Sequence, residues 1–431
     1  MTVLLTVIPE HTNQKFLEMQ EDDGVVRVNS RAIIEHGARV AGECYDQEGW
    51  TKLQNEDPAK TKRREWRTLG PDDGSGGGNE HATPYEHIHI GLEIVAPKIL
   101  MMVLNNEQQC STSEKSARYT KFCPENGVSE LEAKLYGKWL GRFTDLIRDE
   151  YNEDFIVAEA RKARVDFTTQ DPKDLVAVRK AVDTRILKLA QENARYVTSV
   201  FTQTFMIHTA PWIQWNRIVG MMIDFINRSN KTPFETRLAE AMNEFVEQVE
   251  DLGMLDARAM SNRKQRKLRL FGDHAVNRHY SDSYSTSYMG SFAQLGQAHR
   301  HRTISYNMLR PTEPDDGQSF FFPPILPDEM RKEWETDLQS VGHNYPQGQM
   351  VPINECGTCE AFITKMKERL CSAAQLEIQQ QTLETLSWYR LTEPKRFRKY
   401  GNGARCTFND YTCLDSEKCF WNAGIKLTRK I

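Results

Sequence analysis

The same order of sequence features occurs twice along this chain of 431 residues. In each occurrence a histidine-containing segment precedes a polar motif, and a segment of helical spacing that carries a glutamate comes later. In the first half these features are His81–His87, Ser111–Tyr119 and Glu235–Arg237. In the second half they are Arg278-His279, Arg300–Asn307 and Ala374–Gln379. A repeat restricts the fold more than composition does, although the low identity between the two occurrences does not by itself establish a duplication.

The length of the chain predicts two domains or one duplicated domain. Hydrophobic residues make up 39% of the sequence and charged residues 27%, which suits a globular protein with a sizeable core. The net charge of −4 argues against a uniformly basic nucleic-acid-coating protein, but it allows a local pocket rich in arginine. We therefore expect no direct binding to nucleic acid.

No apolar run approaches the roughly 18 residues that a membrane-spanning helix needs, so no membrane association is expected. The N-terminus lacks the basic segment and the long apolar stretch of a secretory signal. The nine cysteines are odd in number and scattered, which favours a reducing compartment over a disulfide framework. These features predict a cytoplasmic protein, including the host cytoplasm if the gene is viral.

Periodicity gives a coarse secondary structure. The alternating run at 87–95 predicts a strand, and the spacing of apolar residues predicts helices. The predicted helical stretches are about 129–165, 172–209, 233–252 and 359–389. A mobile surface loop is expected over the whole segment 60–80, which is charged and then rich in glycine, and a second loop is expected in the Pro/Phe-rich segment 319–324. The basic segment 262–269 is interpreted as a solvated linker, with an anionic-partner site as the alternative.

Two polar motifs have residue types that bind anions. Gln297-Ala-His-Arg300-His-Arg302 puts two permanent cations around a titratable ring, which suits a phosphate or an electron-rich flavin. A solvated basic turn would have the same composition. The hydroxyl residues of Ser111–Tyr119, together with Glu114 and Arg118, can bind a sugar and a phosphate, but they can equally cap a helix.

Metal sites are not expected. In His81-Ala-Thr83-Pro-Tyr-Glu-His87 the proline breaks the helical register of a metal-binding histidine pair. Cys356-Gly-Thr-Cys359 has a zinc-ligand spacing, but the later cysteines at 406, 413 and 419 are irregularly placed. Free thiols are therefore the favoured interpretation, and structural zinc is the alternative.

Considered together, the motifs resemble the signature of the flavin-dependent thymidylate synthases, Arg-His-Arg-x-x-Ser-x-Asn-Glu-x-Ser-x-Arg-Tyr. The second half matches its opening, from Arg300 to Asn307, and then departs from it at Met308-Leu-Arg310. The first half matches its end, from Ser111 to Tyr119, and has Asn106-Glu-Gln108 where the Arg-His-Arg would stand. Each half has lost the part that the other keeps.

The flanking segments resemble the same family. His81–His87 is similar to an element upstream of the signature, and Glu192–Val197 is similar to a later segment that supplies an arginine to the nucleotide phosphate. Arg369–Gln379 is similar to the helix Arg-x-x-x-x-Ala-Gln-Trp-Glu-Ile, and Arg228–Arg237 is a looser counterpart. The resemblance covers about residues 30–250 and 270–390.

The resemblance implies a site shared between subunits, because family members build their sites at the interfaces of a homotetramer. One set of nucleotide-binding residues then falls in the second half: Gln297, Arg300 and Arg369. The other set falls in the first half: Glu114, Ser116, Arg118 and Arg195. A fused chain needs only one composite site for each pair of halves, so the resemblance implies a homodimer that imitates the tetramer.

The chemistry implied by the resemblance is methylation at C5 of dUMP to give dTMP. FAD is the expected cofactor, with NADPH and methylenetetrahydrofolate as co-substrates. Seven residues are expected to contact FAD: His81, Thr83, Arg300, His301, Arg302, Asn307 and Asn216. Arg300, Ser116 and His301 are expected at the reacting atoms, with Ser116 as a nucleotide contact and not as a covalent nucleophile.

The implied fold class is α/β (α+β), with two diverged copies of the family fold, each a small sheet flanked by long helices. The expected boundaries are 1–258 for the first half, 259–394 for the second and 395–431 for a cysteine-containing tail. Thr358 and Glu360 replace the Asn and Arg that help hold FAD in the family. The alternatives are therefore another C5-modified product, such as 5-hydroxymethyl-dUMP, or a non-catalytic nucleotide-binding homologue.

Overall fold

The computed structural model describes most of the chain in two compact units. The described residues are 6–8, 13–19, 25–43, 49–72, 82–115, 129–150, 172–262, 266–272, 278–371, 374–400, 403–405, 408 and 430. Unit 1 comprises Met1–Lys115 and Gln203–Gly272, and unit 2 comprises Ser116–Thr202 and Asp273–Ile431. Both units are discontinuous in sequence. The sequence-based boundaries at 258 and 394 stay predictions about homologous segments.

The described elements, in chain order, are ten strands and fourteen α-helices. The strands are β1 Thr6–Ile8, β2 Leu17–Met19, β3 Val26–Val28, β4 His89–Pro97, β5 Ser111–Glu114, β6 Gln203–Pro211, β7 His279–Tyr280, β8 Ser283–Ser291, β9 Ser305–Met308 and β10 Met350–Thr358. The helices are α1 Ser30–Val40, α2 Trp50–Gln54, α3 Pro58–Leu69, α4 Lys98–Asn106, α5 Glu130–Glu150, α6 Pro172–Ala194, α7 Trp212–Ile226, α8 Pro233–Asp251, α9 Ala257–Ser261, α10 Phe292–Ala298, α11 Asp328–Ser340, α12 Cys359–Arg369, α13 Leu376–Thr392 and α14 Pro394–Phe397.

Unit 1 is built on an antiparallel sheet of four strands in the order β1-β4-β6-β5. Strands β4 and β6 pair along their full length, from His89 opposite Pro211 to Pro97 opposite Gln203. A helix follows each of these strands directly, α4 after β4 and α7 after β6. Every residue of α4 after Lys98 and most residues of α7 are buried, so these helices contribute to the core of the unit.

Helix α8 illustrates how local sequence sets an element of this unit. Thr232 and Glu235 form a reciprocal capping box, and Pro233 occupies the first turn, where its missing N–H costs nothing. Its buried residues recur at helical spacing along one face: Phe234, Leu238, Met242, Phe245 and Val249. This pattern is the one that predicted the helix at 233–252.

Unit 2 contains a second antiparallel sheet, in the order β7-β8-β10-β9. Strands β8 and β10 again pair along their full length, and helices α10 and α12 follow them directly. The short strands β5 and β9 also pair in the same register. Ser111 lies opposite Thr209 and Ser305 opposite Cys356, in each case the third residue from the end of the long strand. Thus the two sheets share strand order, and their three longer strands agree in length and register, whereas the edge strands β1 and β7 differ in length and pair with different ends of β4 and β8.

Three helices of unit 2 pack around tryptophans. Trp139 of α5 and Trp334 of α11 are fully buried, with ring centroids 4.6 Å apart in an edge-to-face arrangement. Lys138 of α5 forms an ion pair with Glu333 of α11 at 2.8 Å, and α6 contributes Leu189 to the same core. Although α5 and α6 belong to the first half of the sequence, they pack within unit 2.

The loop predicted for 60–80 is wrong over residues 60–69, which belong to α3, because Asp57 caps that helix and Pro58 occupies its first turn. The helix predicted for 129–165 is confirmed over 130–150, and residues 151–165 lie outside the described part of the chain.

Two other helix predictions were too long. The helix predicted for 172–209 ends at Ala194, and residues 203–211 form β6. The stretch 359–389 is two helices, because the chain breaks between Arg369 and Leu376. The mixed fold of small sheets and long helices is confirmed, whereas the duplication stays a prediction. In the described part of the chain, no helix is both long and apolar enough to span a membrane.

Candidate active site

The segment that carries Arg195 is held in place by backbone hydrogen bonds within unit 2. Arg195 begins a short 3-10 helix directly after α6. The amide of Gly348 donates to the carbonyl of Tyr196 at 2.8 Å, and the amide of Gln347 donates to that of Thr198 at 2.6 Å. A side chain at Gly348 would lie 2.9 Å from Cβ of Tyr196, so the approach requires glycine.

Arg195 and Gln297 meet at one amide. The guanidinium of Arg195 (Nη2) and the side-chain amide of Gln297 (Nε2) both donate to Oε1 of Gln375. Gln375 immediately precedes α13 and makes no capping bond to that helix. The other oxygen in this group, Oε1 of Gln297, is buried without a hydrogen-bond partner among the described residues. The structure thus brings together two nucleotide-binding residues that the sequence predicted from different halves.

Beneath these side chains lies a buried acid. Glu377 accepts hydrogen bonds from the amide of Ser291 at 2.8 Å, from its hydroxyl at 2.6 Å and from the Tyr196 hydroxyl at 2.8 Å. Burial raises the pKa of Glu377, whereas these donors act in the opposite direction by favouring the carboxylate. Ser291 caps α10, the helix that carries Gln297. Glu377 therefore ties Tyr196 to the start of that helix.

Arg369 and His301 form a second contact of predicted site residues. Nε of Arg369, at the end of α12, donates to Nε2 of His301 at 2.7 Å. Burial, and then the charges of Arg369 and Lys365, lower the pKa of His301 to about 2. His301 is thus neutral in this structure and accepts through Nε2, which places its own proton on Nδ1. The positive charge that sequence analysis gave to this motif must come from its arginines.

The Arg-His-Arg motif occupies tight turns between α10 and β9. The amide of His301 donates to the carbonyl of Ala298 at 3.0 Å, and that of Ile304 donates to the carbonyl of His301 at 2.9 Å. Arg300 and Arg302 are half-buried. Among the described residues, the guanidinium of Arg300 makes no hydrogen bond or ion pair, so it is available to a ligand. Asn307 lies in β9, buried and opposite Asn354.

Other predicted site residues lie in unit 1. The carboxylate of Glu114, in β5, is buried and forms an ion pair with Lys98, and Asn105 donates to it at 3.3 Å. Thr83 begins a 3-10 helix and is exposed. Three predicted residues, His81, Ser116 and Arg118, lie outside the described residues.

Asn216 has a structural environment. Its amide nitrogen donates to the carbonyls of Trp212 and Met254, each at 3.1 Å, and its oxygen accepts from the amide of Asp256 at 2.8 Å. The side chain is fully buried in unit 1. A contact with FAD would require at least one of these bonds to break, so the geometry favours a role in joining α7 to the start of α9.

The register of the two sheets reproduces the alignment of the motifs. The same number of residues separates Pro97 from Ser111 and Ser291 from Ser305. Position 106 of unit 1 therefore corresponds to Arg300 of unit 2. Glu107 then corresponds to His301. It is buried and accepts from the amide of Arg269 at 2.7 Å. Thus unit 1 has an internally bonded acid where unit 2 has the histidine.

Sequence analysis missed three residues of the unit 2 cluster, namely Tyr196, Gln375 and Glu377. The signal was present, because Tyr196 follows Arg195 and the other two lie in the string Ala374-Gln-Leu-Glu377-Ile that carried the family resemblance. Their hydrogen bonds join segments about 180 residues apart, as the separations of 179 and 181 along the chain show. No local pattern indicates such a pairing.

In the part of the chain that the structure describes, no group of three or more His, Cys, Asp or Glu residues is arranged to hold a metal ion. Cys356 and Cys359 lie at the junction of β10 and α12, and neither is joined in a disulfide bond. The cysteines at 406, 413 and 419 are outside the described residues, so the zinc alternative is not tested.

Comparison with known proteins identifies the family. A family model described as thymidylate synthase complementing protein matches residues 28–252, slightly more than half of the chain. These residues include Glu114 and Arg195, and the Arg-His-Arg motif at 300–302 lies beyond them. No curated protein matches the chain in sequence.

Two solved structures of thymidylate synthase X from Helicobacter pylori, each with FAD and dUMP, are similar at 16% identity. The first covers 60% of this chain and 100% of its own with a TM-score of 0.30. The second covers 57% and 98% with a TM-score of 0.26. The match to the family model is the finding that decides membership. The chain belongs to the thymidylate synthase complementing proteins, which are the flavin-dependent thymidylate synthases.

Proposed function

We propose that this protein is a flavin-dependent enzyme that methylates C5 of dUMP, with methylenetetrahydrofolate as carbon donor and NADPH as reductant. The observation that carries the proposal is that the predicted site residues of unit 2 contact one another in two groups. There Arg195 and Gln297 share the amide of Gln375, Arg369 contacts His301, and Arg300 has no protein partner among the described residues. Membership of the family supplies the reaction class.

The phosphate of the nucleotide would bind to arginines of this cluster. A nucleoside monophosphate carries up to two negative charges, and guanidinium groups bind its oxygens through paired hydrogen bonds. Besides burial, the charges of Arg369 and Arg300 both lower the pKa of His301, so each guanidinium acts near this ring, where it can also attract an anion. Arg195 and Arg369 are the proposed phosphate ligands. Glu114, Ser116 and Arg118 remain proposed contacts on the strength of the family resemblance.

The pyrimidine would bind to Gln297 and Arg300. The unpaired Oε1 of Gln297 suits an N–H donor such as N3–H of uracil. The Arg300 guanidinium can donate to a ring oxygen and stabilise the negative charge that develops there as C5 attacks the carbon donor. A uracil ring without such help is a poor carbon nucleophile.

Residues around the Arg-His-Arg motif fit a flavin in part. Arg300 and Arg302 are half-buried and supply positive charge, which suits an electron-rich ring and its phosphates, and the buried Asn307 follows them in β9. FAD, once bound and reduced by NADPH, would supply the hydride that completes the methyl group. Neutral His301 would offer its Nδ1–H as a hydrogen-bond donor and not a charge. Thr83 and His81 stay proposed FAD contacts, whereas the geometry of Asn216 favours a structural role.

One observation favours a second product. Thr358, at a position where the family has an FAD-binding residue, caps α12 by accepting from the amide of Ala361 at 3.2 Å. Glu360, at the other such position, forms an ion pair with Arg396 at 2.6 Å. Both are engaged within the protein. A weaker hold on flavin would suit hydroxymethyl transfer, in which water captures the one-carbon unit and no hydride is needed.

The test is an assay of the full chain with dUMP, methylenetetrahydrofolate, FAD and NADPH. The proposal predicts yellow protein whose flavin absorbance is bleached by NADPH, and a nucleotide product with the mass of dTMP. A product with the mass of 5-hydroxymethyl-dUMP, formed without NADPH, would select the second candidate. Protein that takes up no flavin and leaves dUMP unchanged would contradict both and favour a non-catalytic homologue.

A further inference from the structure

A chain of hydrogen bonds runs from the proposed phosphate ligand to the base of α10. Arg195 donates to Oε1 of Gln375, and Nε2 of Gln375 donates to the hydroxyl of Tyr196 at 2.5 Å. Tyr196 donates to Glu377 at 2.8 Å, and Glu377 also binds Ser291. All five side chains are at least nine-tenths buried. We call these five residues the buried relay.

The hydrogen bonds of Glu377 and Ser291 set which group donates and which accepts along the relay. Glu377 accepts from both the amide and the hydroxyl of Ser291, and the Ser291 hydroxyl itself accepts from the amide of Gln294 at 3.0 Å. The proton of Tyr196 therefore points to Glu377, which leaves a lone pair of the phenol oxygen for the amide nitrogen of Gln375. Because the side-chain nitrogen of Gln375 donates to Tyr196, its side-chain carbonyl faces Arg195 and Gln297.

The side-chain carbonyl of Gln375 determines where the side chains of Arg195 and Gln297 are held, which are the two proposed ligand contacts. It accepts from Arg195 and from Gln297 together, and an amide turned the other way would present donors to two donors. Arg195 has one of the longest side chains in the protein and would lose much rotamer entropy on binding a phosphate. Holding it beforehand reduces that cost.

We propose that Gln375 is a positioning residue that sets Arg195 for the 5′-phosphate and thereby makes the site selective for nucleoside monophosphates. The inference rests on the proposed function, because it assumes that Arg195 binds the phosphate of dUMP. Gln375 acts through Arg195 and does not touch the nucleotide itself. Its effect is therefore on discrimination between dUMP and deoxyuridine, which differ only in the phosphate.

The test compares the dissociation constants of dUMP and deoxyuridine by calorimetry, with the full chain and excess FAD. Gln375→Met keeps the volume of the side chain but removes the acceptor. It is expected to lower the ratio of the Kd of deoxyuridine to the Kd of dUMP about tenfold. Loss through Gln297 affects both ligands and cancels in the ratio. Gln380→Met is the matched control, because Gln380 is exposed on α13, the helix that follows Gln375. The ratio measured for this variant should equal that of the wild type.

A double-mutant cycle separates positioning from general damage. In an Arg195→Ala background, Gln375→Met should change the ratio no further, because the group it positions is absent. Tyr196→Phe, which leaves Gln375 in place but removes its inner partner, should lower the ratio by a smaller factor. An unchanged ratio in Gln375→Met, or an equal fall with and without Arg195, would overturn the inference. A wild-type chain that binds no dUMP would instead overturn the proposed function on which it rests.

Discussion

Arg300 combines a half-buried position with a guanidinium that has no protein partner among the described residues. Its removal should therefore cost activity and not stability. Arg300→Ala is expected to lower kcat/KM for dUMP by about a hundredfold or more, since one transition-state hydrogen bond donor contributes that much. The melting temperature should stay within a degree or two of the wild type. Arg67→Ala, at an exposed arginine of α3, is the control and should change neither quantity.

The buried His301 is expected to make the free energy of unfolding depend on pH. Its folded pKa of about 2 lies below the ordinary value of 6.5, so the unfolded chain binds more protons between those two values. Stability is therefore lost as pH falls below 6.5, by about 1 kcal/mol on going from pH 7 to pH 5.5 for this group alone.

The variant His301→Gln keeps an acceptor for Arg369 and removes the titration. Chemical denaturation at pH 7 and pH 5.5 should show a loss of unfolding free energy that is about 1 kcal/mol smaller in the variant than in the wild type. Equal losses in both proteins would contradict a buried, neutral His301.

At the scale of elements, the contact between α5 and α11 anchors segments from the two halves of the sequence. Trp334 is fully buried against Trp139, and its indole N–H donates to the carbonyl of Phe321 at 2.8 Å. Trp334→Ala should lower the unfolding free energy of the protein by about 3–5 kcal/mol through the cavity it leaves. Trp66, which is 54% exposed on α3, provides a matched control.

Trp66→Ala should change stability by less than about 0.5 kcal/mol. Scanning calorimetry on both variants checks the comparison. Similar losses in the two would mean that α5 and α11 do not form a packed core.

Sequence periodicity predicted elements where one face is buried, and it failed where the chain changes type without a strong breaker. The helix predicted for 172–209 continued into β6 because Arg195–Val197 form a helical turn and no proline intervenes. The Ser/Tyr-rich stretch at 280–291 gave no strand prediction, yet it contains β8. Its polar residues hydrogen-bond within the sheet, as Asn354 does with Ser287 at 3.2 Å. Apolar alternation is weak here because serine and threonine separate the buried tyrosines, among them Tyr284, which packs against Phe362 and Tyr389.

At the scale of the whole molecule, the two sheets agree in strand order and in the register of their three longer strands, which supports the hypothesis of a duplicated and fused chain. Sequence motifs predicted Arg195, Gln297, His301 and Arg369 as site residues. Within unit 2 the structure joins Arg195 to Gln297 through Gln375, and it joins Arg369 to His301. The discontinuous units could not be predicted, because contacts of α5 and α6 with α11 arise only from tertiary packing. Gln375 and Glu377 were missed for the same reason.

The duplication hypothesis also predicts the assembly. If two halves replace two subunits of a homotetramer, the protein should associate as a homodimer. Light scattering coupled to gel filtration should give twice the mass of one chain. In addition, inactive Arg300→Ala and Arg118→Ala proteins should restore some activity when mixed, if sites are shared between chains. A monomer or an assembly of four chains would contradict the dimer.

The central claim is that arginines from both halves of the sequence bind one nucleotide in unit 2. A crystal structure of the full chain with FAD and dUMP tests it most directly. The account predicts the phosphate within hydrogen-bond distance of Arg195 and Arg369, and the uracil within reach of Gln297 and Arg300. A nucleotide bound away from these four residues, in a chain that still turns over dUMP, would contradict it.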